Sequence, residues 1–323
     1  MMKVYLVFLC LLPSLISGAS ILPEPRKNVR ASATNAEIQS LAEQFYAADT
    51  NKAASGDINL NLQYKATSSQ STSGTDYASQ KLFSYVNEAK LFARPTFAKL
   101  VALLDNYVQI TGTAESVPTA EVQEQNAFID EIFKTSIITK LSNFFISKVV
   151  CNLKMRRCDL LTFCTGYYST AASFKTDLKE MWFGLYTRTS GPLDSSGFEH
   201  VFHGEIHKGK ISGLHSWVQL YLLEKSGQVN YLSYTSDGVW TGYPDVYAFQ
   251  LKWNTYLKTI GSFFVGSSPE FDIAMYTLCY VTRPDSLCTV QMGGSTFQIQ
   301  TYTWANSTYG NGKRYVASSY PNI

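Results

Sequence analysis

The feature that most constrains the fold of this 323-residue chain is a change in its hydrophobic pattern near residue 165. Before this point apolar residues recur at helical spacing, which predicts amphipathic helices. After it aromatic residues, valine and threonine become dense and glycine interrupts them at short intervals, which is typical of strands. The sequence therefore predicts an α+β fold, with a helical lobe over 33–165 and a mixed lobe with antiparallel sheet over 166–320.

Local signals place several helices within these two lobes. Thr34 and Glu37 form a capping-box pattern, so a helix should start after Thr34 and end at about Ala48. The spacing predicts further helix through 79–147, with Phe83 on its apolar face.

The second lobe should contain two embedded helices. One is predicted to start near His215 and to stop at Gly227, because glycine is common just after a helix end. The other should be capped by Ser268, carry Pro269 in its first turn and end before Pro284.

The composition excludes several classes of protein. The chain has 27 basic and 25 acidic residues, a net charge of +2, and 14% of its residues are aromatic. A disordered chain would have few aromatic residues and a high net charge. A polycation is excluded as well, so a nucleic-acid partner would have to meet a local basic surface.

The N-terminal segment has the pattern of a secretory signal. Lys3 precedes an apolar run that is too short to span a bilayer, and small residues follow it. We expect residues 1–19 to be a signal peptide, residues 20–32 to be a flexible arm and the protein to be secreted and to lack a membrane span.

Secretion favours oxidised cysteines, and five cysteines remain after Cys10 leaves with the signal. We expect Cys279 and Cys288, nine residues apart across a turn-like sequence, to form a disulfide. The pairing within 151–164 stays open, and the odd count leaves at least one cysteine unpaired within the chain. Asn306 begins an N-x-S/T sequon and is a candidate glycosylation site.

All four histidines lie within sixteen positions: His200, His203, His207 and His215. Three interpretations compete. His200 and His215 could be an acid/base pair, because imidazole titrates near neutrality. The cluster could instead bind a metal together with Glu199 and Glu205. The histidines could also be structural or surface residues.

Local structure favours the acid/base interpretation. A strand over 199–205 would put His200 and His203 on opposite faces, which weakens the metal interpretation. At a helix start, the dipole would disfavour protonation of His215, so that it suits a general base. A carboxylate at Glu199 would keep His200 protonated, which suits a general acid.

Several strings of this sequence resemble the signature of the XendoU (EndoU) poly(U)-specific endoribonucleases. They cover roughly residues 35–305 in order, and they include Phe198–Phe202, Gly204-Glu205, Gly213–Trp217, Lys258–Ser262 and Val265–Phe271. The spacing between His200 and His215 also resembles that of the distantly related coronavirus uridylate-specific endonuclease.

The resemblance implies a cleft between two antiparallel β-sheet subdomains, with a catalytic trio of His200, His215 and Lys258. An RNA 2′-hydroxyl would attack the phosphate 3′ of a uridine, leaving a 2′,3′-cyclic phosphate and a 5′-hydroxyl. His215 would act as the base, His200 as the acid and Lys258 as the electrostatic stabiliser. DNA, which has no 2′-hydroxyl, should not be cleaved. His203 and His207 are outside the trio and are expected to be exposed.

The resemblance also implies contacts of Ser262 and Tyr302 with uracil, and a dependence on Mn²⁺. Glu199 and Glu205 are candidate manganese ligands or supporting partners of the histidines. The expected partner is single-stranded, uridine-containing RNA, bound by a monomer. Two alternatives stay open: a secreted RNA-binding protein with this fold and little turnover, and a metal-dependent hydrolase built on the histidine cluster.

Overall fold

The computed structural model describes residues 33–148, 150–156, 159–165, 167–240 and 242–323. The predicted signal peptide and arm lie outside these residues. Within them, no helix combines the length and the apolar character that crossing a membrane requires.

The N-terminal part is mainly helical. Its helices are α1 (Asn35–Ala48), α2 (Glu88–Leu91), α3 (Pro95–Leu103), α4 (Thr119–Ile132) and α5 (Ser136–Ser147). Two antiparallel strand pairs accompany them: β1 (Ile58–Leu60) with β2 (Phe83–Val86), and β3 (Val150–Arg156) with β4 (Asp159–Thr165). The predicted capping box of Thr34 and Glu37 is present, and the last residue of α1 is Ala48, as predicted.

The prediction of helix at Phe83 is wrong, because Phe83–Val86 is strand β2. Its apolar spacing suits a helix, but tertiary contacts fix the extended form. Strand β1 pairs with it, and the backbone N–H of Phe83 donates to Oε2 of the distant, buried Glu224 at 2.9 Å. Local spacing could not reveal either partner.

The C-terminal part contains two three-stranded antiparallel sheets, which confirms the predicted α+β fold. The first has the order β11-β10-β9, from strands β9 (Val229–Asp237), β10 (Asp245–Trp253) and β11 (Tyr256–Val265). The second has the order β12-β13-β14, from strands β12 (Leu287–Met292), β13 (Ser295–Tyr309) and β14 (Lys313–Asn322). Short pairs are formed by β5 (Leu185–Tyr186) with β6 (Ser195–Ser196) and by β7 (Glu205–His207) with β8 (Lys210–Ser212).

Three helices pack with these sheets: α6 (Ala171–Phe183), α7 (Trp217–Lys225) and α8 (Pro269–Thr282). Helix α8 is almost wholly buried and begins as predicted, with Ser268 as its cap and Pro269 in its first turn. Close to its end, the sulfur atoms of Cys279 and Cys288 lie 2.10 Å apart, which is bonding distance. Helix α6 was not predicted, although its Phe174, Leu178 and Met181 have helical spacing and are buried.

Candidate active site

A cleft of about 510 Å³ is bordered by strand β11 of the first sheet and strands β13 and β14 of the second. Every residue that the sequence pointed to as catalytic or uracil-binding lies on its wall: His200, His215, Lys258, Ser262 and Tyr302. These residues are separated by up to 102 positions in the sequence, and folding brings them to one place.

His200 lies on a π-helical turn, Glu199–His203, and the predicted strand at this position is wrong. The turn closes through a bond from the N–H of Gly204 to the carbonyl of Glu199 at 2.7 Å. It brings Nδ1 of His200 to 2.9 Å from Oε1 of Glu205, at the start of β7. The carboxylate partner of His200 is therefore Glu205, and the expectation that it is Glu199 is wrong.

Glu205 is fully buried and receives several hydrogen bonds. Arg188 approaches Oε1 with its Nε at 2.6 Å, and the hydroxyl of Ser195 donates to Oε2 at 2.8 Å. Burial raises the pKa of Glu205, and the guanidinium of Arg188 opposes this rise. The ion pair keeps an acceptor in place for Nδ1–H of His200, so the other ring nitrogen, Nε2, is left for chemistry.

The expectation that a carboxylate keeps His200 protonated in the free protein is wrong. Burial lowers the pKa of His200 well below its usual value, and the cations of Arg188 and Lys258 lower it further. Arg188 and His200 share Oε1 of Glu205. The lowered pKa favours the neutral imidazole in the free protein.

His215 precedes Ser216, which caps helix α7. Its Nδ1 lies 2.8 Å from the carbonyl oxygen of Ser262, so this nitrogen carries the proton and Nε2 is a free acceptor. Its ring stacks on Tyr320, with centroids 4.7 Å apart and an interplanar angle of 11°. Burial and the nearby Lys258 lower the pKa of His215 well below its usual value. A neutral imidazole with a free Nε2 suits a general base.

Lys258 contributes the cation of the cleft. Its Nζ donates to the carbonyl oxygen of Gly213 at 2.5 Å, and burial lowers its pKa to about 8. The ammonium group therefore remains mostly charged at neutral pH. The N–H of Leu214, the next residue, donates to the carbonyl of His200 at 2.9 Å, so the Gly213-Leu214 loop links His200 to Lys258.

A β-bulge sets the direction of side chains on β11. Phe249 of β10 pairs with Gly261, and Leu251 pairs with Lys258. Thr259 and Ile260 therefore lie opposite a single residue of β10, Gln250. Bulges of this kind redirect side chains next to active sites. Lys258 and Ser262 both reach the cleft from this strand.

Two tyrosines form the opposite wall of the cleft. Tyr302 on β13 is 45% exposed, and its ring centroid lies 6.4 Å from that of Tyr320 on β14. The sequence analysis missed Tyr320. A signal was available, because Ser318 and Tyr320 are two positions apart and side chains at that spacing share one face of a strand. Both line the cleft.

Glu199, a candidate metal ligand, is fully buried, and neither of its carboxyl oxygens has a hydrogen-bond partner in the described part of the chain. Burial raises its pKa to about 10, so it is protonated at neutral pH. Glu205 is occupied by its three donors, and a cation there would face Arg188. No three His, Cys, Asp or Glu residues among those described are grouped to hold a metal. The two glutamates therefore do not fit a manganese site.

His203 and His207 do not line the cleft. The prediction that His203 is exposed is wrong, because it packs edge-to-face on Trp253 and its Nδ1 donates to the carbonyl of Gly204 at 2.7 Å. Burial lowers its pKa to about 4. His207 is half-buried, with Nδ1 3.1 Å from the hydroxyl of Thr111.

Comparisons with known proteins identify the sequences and structures that this chain resembles. The family model of Endoribonuclease XendoU matches residues 37–321. Uridylate-specific endoribonuclease D of Xenopus laevis is 86% identical over 322 residues, covering 100% of both chains. The human Uridylate-specific endoribonuclease is 46% identical over 287 residues, which are 89% of this chain and 66% of that protein.

A solved structure is similar as well. It is described as the structure of XendoU, a splicing-independent snoRNA processing endoribonuclease. It is 33% identical and superimposes with a TM-score of 0.67, covering 88% of this chain and 96% of that one.

Proposed function

Because the chain belongs to the XendoU family of endoribonucleases, we propose that it cleaves single-stranded RNA on the 3′ side of uridines. The observation that carries this proposal is the presence of two imidazoles and one ammonium group in one cleft: His200, His215 and Lys258. No metal-ligand group accompanies them among the described residues. This set matches a transesterification that needs a base, an acid and a fixed positive charge.

In the proposed reaction Nε2 of His215 takes the proton of the uridine 2′-hydroxyl. The 2′-oxygen attacks the adjacent phosphorus, and the bond from phosphorus to the 5′-oxygen of the next nucleotide breaks. Nε2 of His200 gives its proton to that leaving oxygen. The products are a 2′,3′-cyclic phosphate and a 5′-hydroxyl, and the two histidines have exchanged protonation states.

The substrate itself supplies the charge that His200 needs. A phosphate that enters the cleft places a negative charge beside His200, which raises the pKa of the imidazole. Glu205 then stabilises the imidazolium through Nδ1–H. His215 has no carboxylate partner of this kind: its Nδ1 faces a backbone carbonyl and its ring stacks on Tyr320. It therefore stays neutral and is available to take the proton.

Lys258 is proposed to stabilise the phosphorane oxygens. Its ammonium group can donate three hydrogen bonds, and one of them goes to the carbonyl oxygen of Gly213. Two N–H groups are left to donate to phosphate oxygens. The low exposure of Lys258, 8%, removes water from this interaction and strengthens it.

Uracil is proposed to bind beside Ser262 and Tyr320. Ser262 is buried in the cleft wall, where its hydroxyl can bond to the edge of the base, and Tyr320 offers a ring next to His215. Tyr302 lies beside Tyr320 on the wall opposite Ser262, and we propose that it also contacts uracil, as the resemblance implies.

We propose that Glu205 positions His200 and that Glu199 is a neutral buried residue, neither of them a manganese ligand. No step of the reaction above passes through a metal. Cleavage rates with a chelator, with Mn²⁺ and with Mg²⁺ test this point. Loss of activity in chelator that Mn²⁺ alone restores would require a metal site formed by other groups or by the RNA.

The decisive experiment uses a DNA oligonucleotide with one ribouridine, compared with the same oligonucleotide carrying deoxyuridine. We expect cleavage of the first alone, with a cyclic-phosphate end. Binding without cleavage would support the alternative of an RNA-binding protein with little turnover. Chelator-sensitive hydrolysis of non-RNA esters would support the metal-dependent hydrolase.

We also propose that the protein is secreted and N-glycosylated. The N-terminal signal pattern and the pairing of Cys279 with Cys288 support an oxidising destination. Asn306 is exposed on β13. Expression in cultured animal cells should give protein in the medium that lacks residues 1–19 and loses mass on deglycosylation, and an Asn306→Gln variant should not lose mass.

A further inference from the structure

The hairpin of strands β7 and β8 carries two lysines where its chain reverses. His207 pairs with Lys210, so the loop between the strands consists of Lys208 and Gly209 alone. Both lysine side chains are exposed. This pair, the lysine tip, has no role in the proposed reaction.

The backbone of this loop does not explain why a lysine stands in it. Lys208 has a φ of +50° and Gly209 a φ of +74°, and positive values at both positions are those of a type I′ turn. Asparagine, aspartate and glycine are preferred at the first position, because a longer side chain is strained in the left-handed conformation. A lysine held at such a position points to a use for its charge.

The lysine tip lies next to the proposed active site. Strand β8 runs from Lys210 towards the cleft, which Ile211, Ser212 and Gly213 border. Lys210 and Ser212 are two positions apart, so their side chains share one face of the strand and their Cα atoms are about 7 Å apart. The long stem of a lysine can cover a similar distance.

Backbone hydrogen bonds to a neighbouring segment hold the base of the hairpin. The N–H of Ile206 donates to the carbonyl of Gln109 at 2.6 Å, and the N–H of Thr111 donates to the carbonyl of Ile206 at 3.1 Å. The position of the hairpin relative to the cleft is therefore fixed before any ligand binds.

The charges of the lysine tip are free to meet an anion. Lysines elsewhere on the surface are often ion-paired, as Lys65 is with Asp237 at 2.9 Å. Among the residues that the structure describes, no acidic side chain pairs with Lys208 or Lys210, and none borders the cleft. The chain as a whole has a net charge of only +2, so a nucleic acid needs a local basic surface of this kind.

We propose that Lys208 and Lys210 bind a phosphate of the RNA chain other than the scissile one. This inference rests on the proposed function and adds a second phosphate position to it. The ligand is a phosphodiester between any two nucleotides, because phosphates carry no direct sequence information. The cleft then selects uridine, and the lysine tip strengthens the binding of any strand long enough to reach it.

The experiment uses a DNA oligonucleotide with one ribouridine, in which the phosphodiesters other than the scissile one are replaced one at a time by a neutral methylphosphonate. For the wild type we expect kcat/KM to fall about fivefold at one position or at two adjacent ones, which is the upper part of the range for an exposed ion pair. The position that responds identifies the phosphate.

Lys208→Asn removes the charge and puts a residue into the turn that the turn prefers, so the hairpin should still form. On the unmodified substrate it should lose about fivefold in kcat/KM, and the methylphosphonate at the responding position should cause no further loss. Lys208→Arg keeps the charge and should keep the wild-type profile.

The salt dependence of kcat/KM gives a second readout. For a single strand, the slope of its logarithm against the logarithm of the salt concentration shrinks by about 0.7 for each phosphate contact that is lost. We expect this change for the double variant Lys208→Asn with Lys210→Gln.

Lys99→Gln is the matched control. Lys99 is exposed on α3, does not line the cleft and has no acidic partner within the described residues either. It should show the wild-type methylphosphonate profile and salt slope. Thermal unfolding of each variant reports whether it has folded.

Three outcomes would overturn the inference: no flanking methylphosphonate affects the wild type, folded Lys208→Asn keeps the wild-type sensitivity, or the double variant has an unchanged salt slope. Failure of the proposed function looks different, because the wild type would then cleave none of these substrates.

Discussion

A Cβ atom on Gly213 would lie 1.7 Å from the carbonyl oxygen of His200. The same glycine has a φ of +66° and accepts the hydrogen bond of Lys258. The backbone at this position therefore fixes the distance between an imidazole and the ammonium group of the proposed trio. A methyl group would separate them.

Gly213→Ala should reduce kcat/KM by at least about 100-fold, because the loop must move away from His200 and take Lys258 with it. The matched control is Gly209→Ala, which has a similar φ of +74° but no atom within 4 Å of the added Cβ. Both variants carry backbone strain, and the Gly213 variant alone carries the clash. Equal activities of the two variants would show that the contact has no role.

Alanine at His200, His215 or Lys258 should each reduce kcat by about 1,000-fold, within the range for a lost acid, base or charge stabiliser. These side chains are buried, so each variant should also lose stability, and kcat is therefore compared per folded molecule. His203→Ala should lose a similar amount of stability, about 2 kcal/mol for a buried ring, but keep a near-normal kcat per folded molecule. Single-turnover kinetics with calorimetry separate these effects. A collapse of chemistry in folded His203→Ala would mean that the wrong histidines were assigned.

The pH optimum of kcat should be higher than that of kcat/KM. Burial and Lys258 lower the pKa of both His200 and His215 in the free protein, and kcat/KM reports the free protein. A bound phosphate raises both values, and kcat reports the complex. Rate profiles between pH 4 and pH 9 measure the two optima, and coinciding optima would show that the substrate does not shift these groups.

Glu199→Gln should remove a pH dependence of stability. Burial raises the pKa of Glu199 from its usual 4.5 to about 10 in the folded protein, so unfolding releases a proton between these pH values. The free energy of unfolding of the wild type therefore falls as pH rises through this window, by up to about 1.4 kcal/mol per pH unit. Glutamine does not titrate, so its free energy of unfolding should not fall in this way. The stability of the variant relative to the wild type should therefore rise from pH 5 to pH 9, as measured by denaturant titrations.

The control for this measurement is Asp105→Asn, which changes an exposed carboxylate. It should follow the wild-type curve. If Glu199→Gln also follows that curve, Glu199 is ionised in the folded protein.

Parts of the site could be predicted in detail and parts could not. The sequence identified five of the residues that line one cleft, since their types and spacing resemble a known signature. It gave Glu199 as the partner of His200 because the two are adjacent. The π-helical turn instead directs His200 to Glu205. That turn is held by residues fourteen positions away, because the N–H groups of Leu214 and His215 donate to the carbonyls of His200 and Val201.

The sequence by itself determined the local features, such as the start of α1 at Thr34 and the start of α8 at Ser268-Pro269. Caps of this kind depend on residues within one helical turn, so the chain carries all the information locally. Tertiary structure alone decided that Phe83 is extended, that His203 is buried and that Tyr320 stacks on His215. Each of these depends on a strand or ring from a distant part of the chain, whose packing outweighs the small energies of local propensity.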